Sequence, residues 1–312
     1  MTALSSPRNA ISAAGARPAS ASKQRGDRRG WLYSAPAVVT MGVLLFGPLL
    51  AVMLFSLTDW QLGQEQFSFI GARNFQELFA DTVFWKSLRN TFLYVLLVVP
   101  GTVILGLIVA VLLESSNELK GLYRTAHFIP VMAATSAMAI VWGTMLHPTI
   151  GLFNHILYGL GYSGVSWLRD EHTALLALVL IGIWQGFGYA MVLFIAGLKA
   201  IPQNLYDAAE IDGADSVMDR MRLVVLPMIG PVLMFVMVVT AVRAFSVFDT
   251  VRVLTAGGPN YSTDVLLYRL NTESFDYLRT GYGAALTVVF LGIVIAITLL
   301  QAKIMDRRVH YS

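Results

Sequence analysis

The sequence predicts an all-α integral membrane protein with about six transmembrane helices. Apolar residues make up 56% of its 312 residues and charged residues only 13%, whereas a typical soluble domain is about 25% charged. Several apolar runs reach the roughly 20 residues that an α-helix needs to cross a bilayer. The predicted spans are 31–57, 89–113, 124–146, 174–199, 227–250 and 282–304.

Residues 1–30 form a separate block, which precedes the predicted transmembrane domain 31–312. The block is rich in Ala, Ser, Gly and Pro and carries six Lys or Arg residues, a composition that cannot bury a core and predicts a disordered basic tail. The run 31–57 is too long for the core of a secretory signal, so we expect an uncleaved first span. We favour a lipid-facing tail over a nucleic-acid-binding arm and expect no nucleic-acid partner.

The distribution of Lys and Arg predicts the orientation in the membrane. Fourteen of the 22 lie in the tail, the C-terminus and the connections after the second and fourth spans, and eight lie in the other connections and span ends. Cytoplasmic connections carry the excess of these residues. Both termini and the connection 201–227 are therefore predicted to be cytoplasmic.

The connection 201–227 is a short polar stretch between the fourth and fifth spans. Pro202 suits the start of a helix, and Gly213 suits its end because glycine accepts a left-handed backbone. Between them, Leu205, Ala208 and Ala209 are predicted to share one face.

A second short helix is predicted directly after the first. Ser216 lies three residues before Asp219, which is the spacing of a capping pair at a helix N-terminus. The two helices together predict a helix–turn–helix outside the bilayer, with small residues that the groove of another protein could approach closely.

This helix–turn–helix resembles the EAA loop of binding-protein-dependent ABC importer permeases. Asp207 stands where that family usually has glutamate, which keeps the charge and shortens the reach. The resemblance implies a type I ABC importer permease fold and a cytoplasmic loop that docks on an ATPase. The residues that carry this implied coupling role are Asp207, Ala208, Ala209, Asp212, Gly213 and Ala214, followed by Leu226, Pro227 and Pro231.

Segments predicted to lie outside resemble signatures of the sugar permeases in this family. Residues 71–75 resemble a Gly-x-x-Asn-Phe signature, and residues 84–91 resemble Phe-Trp followed by Asn-Thr. Aromatic residues here also fit a belt at the membrane interface, and Asn90 and Thr91 are interpreted as marking re-entry into the membrane. Residues 254–259 resemble Leu-Thr-x-Gly-Gly-Pro. By this resemblance, the loop on the side of the solute-binding protein contains Thr255, Gly257, Gly258 and Pro259.

The resemblance covers most of residues 31–308 and is nearest to maltose-type permeases. It implies a subunit in a bacterial or archaeal plasma membrane that imports a sugar or related polyol. The implied partners are a second homologous permease, an ABC ATPase dimer that binds ATP and Mg, an extracytoplasmic solute-binding protein and membrane lipid. The first outer connection has only about thirty residues, too few for the large periplasmic insertion of some maltose permeases.

No catalytic residue, cofactor or metal site is predicted on this chain. It has no cysteine, its five histidines lack ligand spacing, and no phosphate-binding loop is present, so we expect a transport subunit rather than an enzyme. A secondary transporter, a glycerol-phosphate ABC permease and a non-transporting scaffold are the alternatives. A secondary transporter needs ionisable groups within its spans, and only Arg243 qualifies.

A sugar pathway needs hydrogen-bonding groups and aromatic faces. The later spans supply both at Trp184, Gln185, Arg243 and Phe248, although Arg243 could instead extend to the interface and the aromatic residues could simply pack. Gly182 and Gly186 lie four residues apart, which permits close helix approach in lipid. The sequence does not identify the sugar.

Overall fold

The computed structural model describes residues 28–115, 120–214 and 216–308. The predicted tail lies outside the described residues except for positions 28–30, which begin a helix. The chain divides into two compact units, 1–49 and 50–312.

The first described segment, residues 28–55, is helical and largely apolar. Helix α1 (Arg28–Met41) continues through a π-helical turn (Gly42–Phe46) into α2 (Gly47–Phe55). The stretch Tyr33–Phe55 is long and apolar enough to cross a membrane, which confirms the first predicted span.

The second unit is built from helices of very different lengths. Among the described residues, β-structure is limited to an isolated bridge between Thr58 and Phe69. The helices are α3 (Arg73–Ala80), α4 (Thr82–Ser115), α5 (Lys120–Met132), α6 (Thr135–Met145), α7 (Leu152–Gly159), α8 (Ala174–Lys199), α9 (Gln203–Ile211), α10 (Val217–Arg220), α11 (Leu226–Met228), α12 (Gly230–Phe245), α13 (Asp249–Leu254), α14 (Leu266–Asn271) and α15 (Thr280–Arg308), with π-helical turns at Met221–Val225 and Thr272–Asp276.

Four stretches of this unit are long and apolar enough to span a membrane. They coincide with the second, fourth, fifth and sixth predicted spans, and the second begins seven residues earlier than predicted. Their bounds are Thr82–Glu114, Ala174–Lys199, Gly230–Leu254 and Thr280–Ile304.

The third predicted span, 124–146, consists of two helices with a sharp bend between them. Gly121–Met132 and Thr135–Met145 meet at an angle of 99°. Pro130 lies in the last turn of the first segment, and Ala134 has an extended backbone with ψ of 123°. A proline weakens the helical hydrogen bonding around it, and the extended residue then changes the chain direction.

Helices α4 and α8 pack closely through glycine, as predicted. A side chain at Gly182 would lie 2.3 Å from the Tyr94 hydroxyl oxygen, and one at Gly186 would lie 3.2 Å from Thr102 Cγ2. A side chain at Gly182 would require Tyr94 to move, whereas one at Gly186 would make only a tight contact with Thr102.

The largest hydrophobic core joins α4, α8 and α12 to the connection 201–227. Met191 and Phe194 of α8 are completely buried in it, and Ala209 and Ala214 of the connection belong to the same cluster. The connection is therefore packed onto the helices rather than suspended from them. We call this end of the second unit, with residues 201–227, the inner end, and the end with residues 255–279 the outer end.

Candidate functional site

A cavity of about 350 Å³, lined by both polar and apolar residues, lies between helices of the second unit. Residues of α4, α5, α6, α8, α12 and α13 line it. Three of the four residues predicted for a substrate pathway, Gln185, Arg243 and Phe248, are among them.

Arg243 lies on the wall of this cavity, in the last turn of α12. Its guanidinium carbon is 4.2 Å from the centre of the Tyr189 ring, which is cation–π distance. An arginine inside a span costs about 2.5–3.5 kcal/mol, and its position at a helix C-terminus returns only about 1 kcal/mol. Hydration by the cavity is the contribution that can offset the remaining cost.

Three further polar residues of the cavity were not predicted from the sequence: Thr102, Thr135 and Tyr189. Gln185 Nε2 donates a hydrogen bond to Thr135 Oγ1 at 3.2 Å, which joins α8 to α6. Thr102 is 1% exposed, and its hydroxyl has no hydrogen-bond partner among the described residues. Tyr189 follows Gln185 by four residues, so helical spacing could have placed both on one face. Thr102 and Thr135 carry no comparable signal, because helix packing alone brings them to this wall.

Trp184 does not line the cavity. Its ring meets Trp142 edge-on, with the ring centres 5.2 Å apart. Trp142 also stacks on Phe153 at 5.8 Å. Neighbouring residues on a helix point about 100° apart, so Gln185 faces the cavity while Trp184 packs against aromatic residues.

The loop 255–259 is held by hydrogen bonds at the outer end. Thr263 Oγ1 donates to Gly258 O at 2.6 Å and lies 2.8 Å from Thr255 Oγ1. Gly257 has a φ of +79°, and a side chain there would lie 2.8 Å from the Tyr268 ring. The sequence therefore requires glycine at Gly257 both for its backbone conformation and for lack of space.

A second cavity of about 570 Å³ adjoins this loop. Thr255, Gly258 and Pro259 line it from one side, and His147 and Arg169 are on its wall as well. Three of the four residues predicted to face a binding protein thus lie beside an open concave surface at the outer end.

The first turns of α4 hold the segment that follows this loop. Asn90 Nδ2 donates to Tyr261 O at 2.8 Å and to Asp264 O at 2.9 Å. Thr91 Oγ1 accepts a hydrogen bond from the Leu266 backbone N–H at 2.9 Å. The signature 84–91 is therefore joined to the residues that follow the loop 255–259. Asn90 and Thr91 were interpreted from the sequence as marks of membrane re-entry. In the structure their side chains form hydrogen bonds with backbone atoms at the outer end.

A buried ion-pair network was not predicted from the sequence. Glu273 is 1% exposed and accepts from Arg269 at 2.7 Å and from Arg279 at 3.3 Å. Arg279 also pairs with Glu77 of α3, and Arg269 lies 3.9 Å from Asp264. The network connects α3, α14 and the start of α15, so it fixes the outer end around the loop.

Asp264 is the member of this network whose charge is least well compensated. It is 2% exposed, and the Ser87 hydroxyl donates to its Oδ1 at 2.8 Å. Burial raises the pKa of Asp264 to about 6 from its ordinary value of 3.8.

We therefore expect acidification to stabilise the outer end through Asp264. Between pH 4 and pH 6 the folded protein holds a proton that the unfolded chain has released. The free energy of unfolding then falls as pH rises through this window, by about 3 kcal/mol in total. Thermal unfolding of the detergent-solubilised protein at pH 4 and pH 7.5 measures most of this change in the free energy of unfolding. Asp264→Asn should remove this part of the pH dependence, and a profile parallel to that of the unsubstituted protein would contradict the assignment.

At the inner end, helix α9 stops by a Schellman arrangement around Gly213. Gly213 has a φ of +87°, its N–H donates to Glu210 O at 3.1 Å, and the Ala214 N–H donates to Ala209 O at 2.9 Å. This is the predicted glycine stop. Pro202 precedes the helix with an extended backbone, one position earlier than a helix-starting proline.

The second helix of the inner end is capped as predicted. Ser216 Oγ accepts a hydrogen bond from the Asp219 N–H at 3.1 Å. Arg220 pairs with Glu210 at 3.7 Å, which ties α10 back to α9. The helix–turn–helix is thus a structured element, and Asp215 of its turn lies outside the described residues.

The predicted coupling residues divide between the core and the surface. Ala209 and Ala214 are buried, whereas Asp207, Ala208, Asp212 and Gly213 are exposed. Ala208 and Ala209 do not form one exposed face of small residues, because Ala209 packs into the core while Ala208 is exposed. The predicted small-residue face for a partner is therefore wrong.

Apolar side chains of the same loop are also exposed, and none of them was predicted as a coupling residue. They are Ile211 (87% exposed), Val217 and Met218. These exposed side chains lie beside the acidic residues of α9. We call them the inner apolar patch.

Apolar spans around a central cavity, with a structured loop at one end, define a multi-pass membrane protein. Comparison with known proteins identifies the family. Residues 83–311 match the family model described as "Binding-protein-dependent transport system inner membrane component". The chain belongs to this family and is a multi-pass membrane protein.

Several curated relatives cover almost the whole chain. The trehalose/maltose transport system permease protein MalF of Thermococcus litoralis is 32% identical over 90% of this chain and 95% of its own length. The sn-glycerol-3-phosphate transport system permease protein UgpA of Agrobacterium fabrum is 31% identical over 90% of this chain and 96% of its own.

A solved structure shows the same fold. A chain of the bacterial ABC transporter involved in the import of the acidic polysaccharide alginate matches with a TM-score of 0.78 and 20% identity, over 90% of this chain and 96% of that chain. This confirms the predicted ABC importer permease fold. The alginate transporter is also known in complex with a periplasmic protein bound to an alginate pentasaccharide.

Proposed function

We propose that this chain is a permease subunit of an ATP-driven importer for a sugar or related polyol. It works with a second homologous permease, two copies of an ABC ATPase and an extracytoplasmic solute-binding protein. ATP and Mg²⁺ bind to the ATPase, and this chain needs no cofactor of its own. The helix–turn–helix at the inner end is the observation that carries the proposal.

The inner end has the construction of a docking element. Ala209 and Ala214 anchor it in the core shared by α4, α8 and α12, so a force on the loop reaches helices that wall the cavity. The inner apolar patch and Asp207 offer a partner both apolar and charged contacts. ATPase closure would then move these helices and alternate the access to the cavity. This role requires the loop and both termini to be cytoplasmic, in agreement with the Lys and Arg distribution.

The central cavity supports passage of a polyhydroxylated solute. Gln185, Thr102, Thr135 and Arg243 supply hydrogen-bonding groups, and Tyr189 and Phe248 supply aromatic faces. Trp184 would contribute by packing against Trp142 rather than by contact with the solute. The trehalose/maltose and sn-glycerol-3-phosphate permeases among the relatives support a sugar or a phosphorylated polyol as the substrate class.

The outer end supports delivery by a solute-binding protein. The loop with Thr255, Gly257, Gly258 and Pro259 borders the larger cavity, and hydrogen bonds from Thr263 and Asn90 hold this region in place. A rigid, concave surface is suited to receiving another folded protein without reordering its own backbone.

Ile211→Asp is expected to lower binding-protein-stimulated ATP hydrolysis about tenfold, because it puts a charge into an apolar contact with the ATPase. The measurement uses the reconstituted four-component complex, together with copurification of the ATPase. Leu160→Asp is the matched control, since Leu160 is also exposed but lies outside the docking loop, just after α7. Equal activities in both variants would contradict docking through the inner apolar patch.

A further inference from the structure

Two arginines of the same apolar span, Arg243 and Arg252, have different partners. Arg252 pairs with Asp276 at 2.6 Å. Arg243 takes part in none of the ion pairs among the described residues, although it lies on the wall of the central cavity. The described residues thus leave this cavity cation without a carboxylate partner.

The geometry leaves the guanidinium edge of Arg243 available to a ligand. The Tyr189 ring covers one face at 4.2 Å, and a ring face holds the cation without using its N–H donors. Those donors form a planar fork that matches the paired oxygens of a carboxylate, sulfonate or phosphate. Stacking on the ring also orients the fork before the ligand arrives.

Groups suited to neutral hydroxyls line the same cavity. Thr102 is buried with an unpartnered hydroxyl, and Gln185 presents its amide beside Thr135. A ligand with hydroxyls at one end and an acidic group at the other would satisfy both kinds of site.

Asp249 is the other charged side chain of the cavity wall. It is the first residue of α13, where the N–H groups of a helix start stabilise a carboxylate. None of the ion pairs within 4.0 Å among the described residues joins it to Arg243. The start of α13 therefore stabilises the Asp249 carboxylate. Asp249 does not neutralise Arg243, which has no charge partner among the described residues.

We propose that the transported sugar or polyol carries an acidic group, and that Arg243 binds this group while Gln185 and Thr102 bind hydroxyls. This inference rests on the proposed function and specifies its substrate class. It makes Arg243 a specificity-determining residue for transport.

ATP-dependent uptake into proteoliposomes of the full four-component complex tests the assignment. The probes are glycerol 3-phosphate, glucuronate, maltose and trehalose, each at a concentration that saturates the binding protein in a separate binding assay. We expect uptake of an acidic probe to exceed that of the neutral probes. Arg243→Gln should lower acidic uptake at least tenfold, and Arg243→Lys, which keeps the charge, should retain part of it.

Arg252→Gln is the control, because Arg252 belongs to the same span and pairs with Asp276 outside the cavity wall. ATPase copurification and stimulated hydrolysis check assembly of every variant, and Arg243→Met, which also removes the charge, replaces Arg243→Gln if the latter fails to assemble. Uptake of neutral probes alone would overturn the inference, as would equal loss of acidic and neutral uptake in the Arg243 variant. If the unsubstituted complex takes up no probe with ATP, the proposed function itself fails.

Discussion

Gly213→Pro is expected to abolish transport while the protein still inserts in the membrane. Proline cannot adopt the φ of +87° that Gly213 has, and it removes the N–H that donates to Glu210 O. A penalty of about 3 kcal/mol on this turn lowers the population of the native loop about a hundredfold. Binding-protein-stimulated ATP hydrolysis in the reconstituted complex should fall by a similar factor.

Gly161→Pro is a closely matched control. Gly161 has a φ of +83°, its N–H donates to Tyr158 O at 3.0 Å, and the space around it is open, as it is at Gly213. The two substitutions impose the same local damage, but only Gly213 lies in the loop assigned to docking. An equal loss of stimulated ATP hydrolysis in both variants would show that Gly213→Pro acts by general destabilisation. That result would contradict the docking role of the loop.

Glu273→Ala is expected to destabilise the protein by about 3–5 kcal/mol, since it leaves buried Arg269 with only the carboxylate of Asp264 at 3.9 Å. Arg279 keeps Glu77. The melting temperature of the solubilised protein should fall by several degrees. The loop 255–259 should also become more accessible to protease, because the network holds the outer end together.

Asp276→Ala provides the comparison for Glu273. Both carboxylates belong to the π-helical turn Thr272–Asp276 and pair with an arginine, but the Asp276 pair is open to solvent. Exposed pairs contribute little to stability, so this variant should unfold close to the unsubstituted protein. A similar loss of stability in both variants would contradict the importance of burial at Glu273.

Much of the fold could be predicted because the lipid environment constrains it strongly. An apolar run such as 174–199 has one stable arrangement in a bilayer, and α8 occupies that range. The broken third span could not be predicted, since Pro130 and the extended residue Ala134 interrupt an otherwise continuous apolar pattern. Proline is tolerated in many membrane helices, so its presence alone did not predict an angle of 99°.

The candidate sites differ in how much of their structure could be predicted from the sequence. The turn at Gly213 depends only on local backbone conformation. The glycine itself therefore predicted where the helix ends. The partner of Arg243, Tyr189, lies on another helix, whereas Arg269 and Arg279 lie only four and six residues from Glu273. A single sequence shows these charged residues, but only packing shows that Glu273 is buried between its two arginines.

Uptake by proteoliposomes that contain both permeases and the ATPase tests the central claim most directly. The binding protein and a labelled solute are supplied on the outer side, and ATP is supplied on the side of the loop 201–227. We expect solute to accumulate only when ATP, the binding protein and this chain are all present, with no dependence on an ion gradient. Uptake that persists without ATP and follows an imposed ion gradient would contradict the account and favour a secondary transporter.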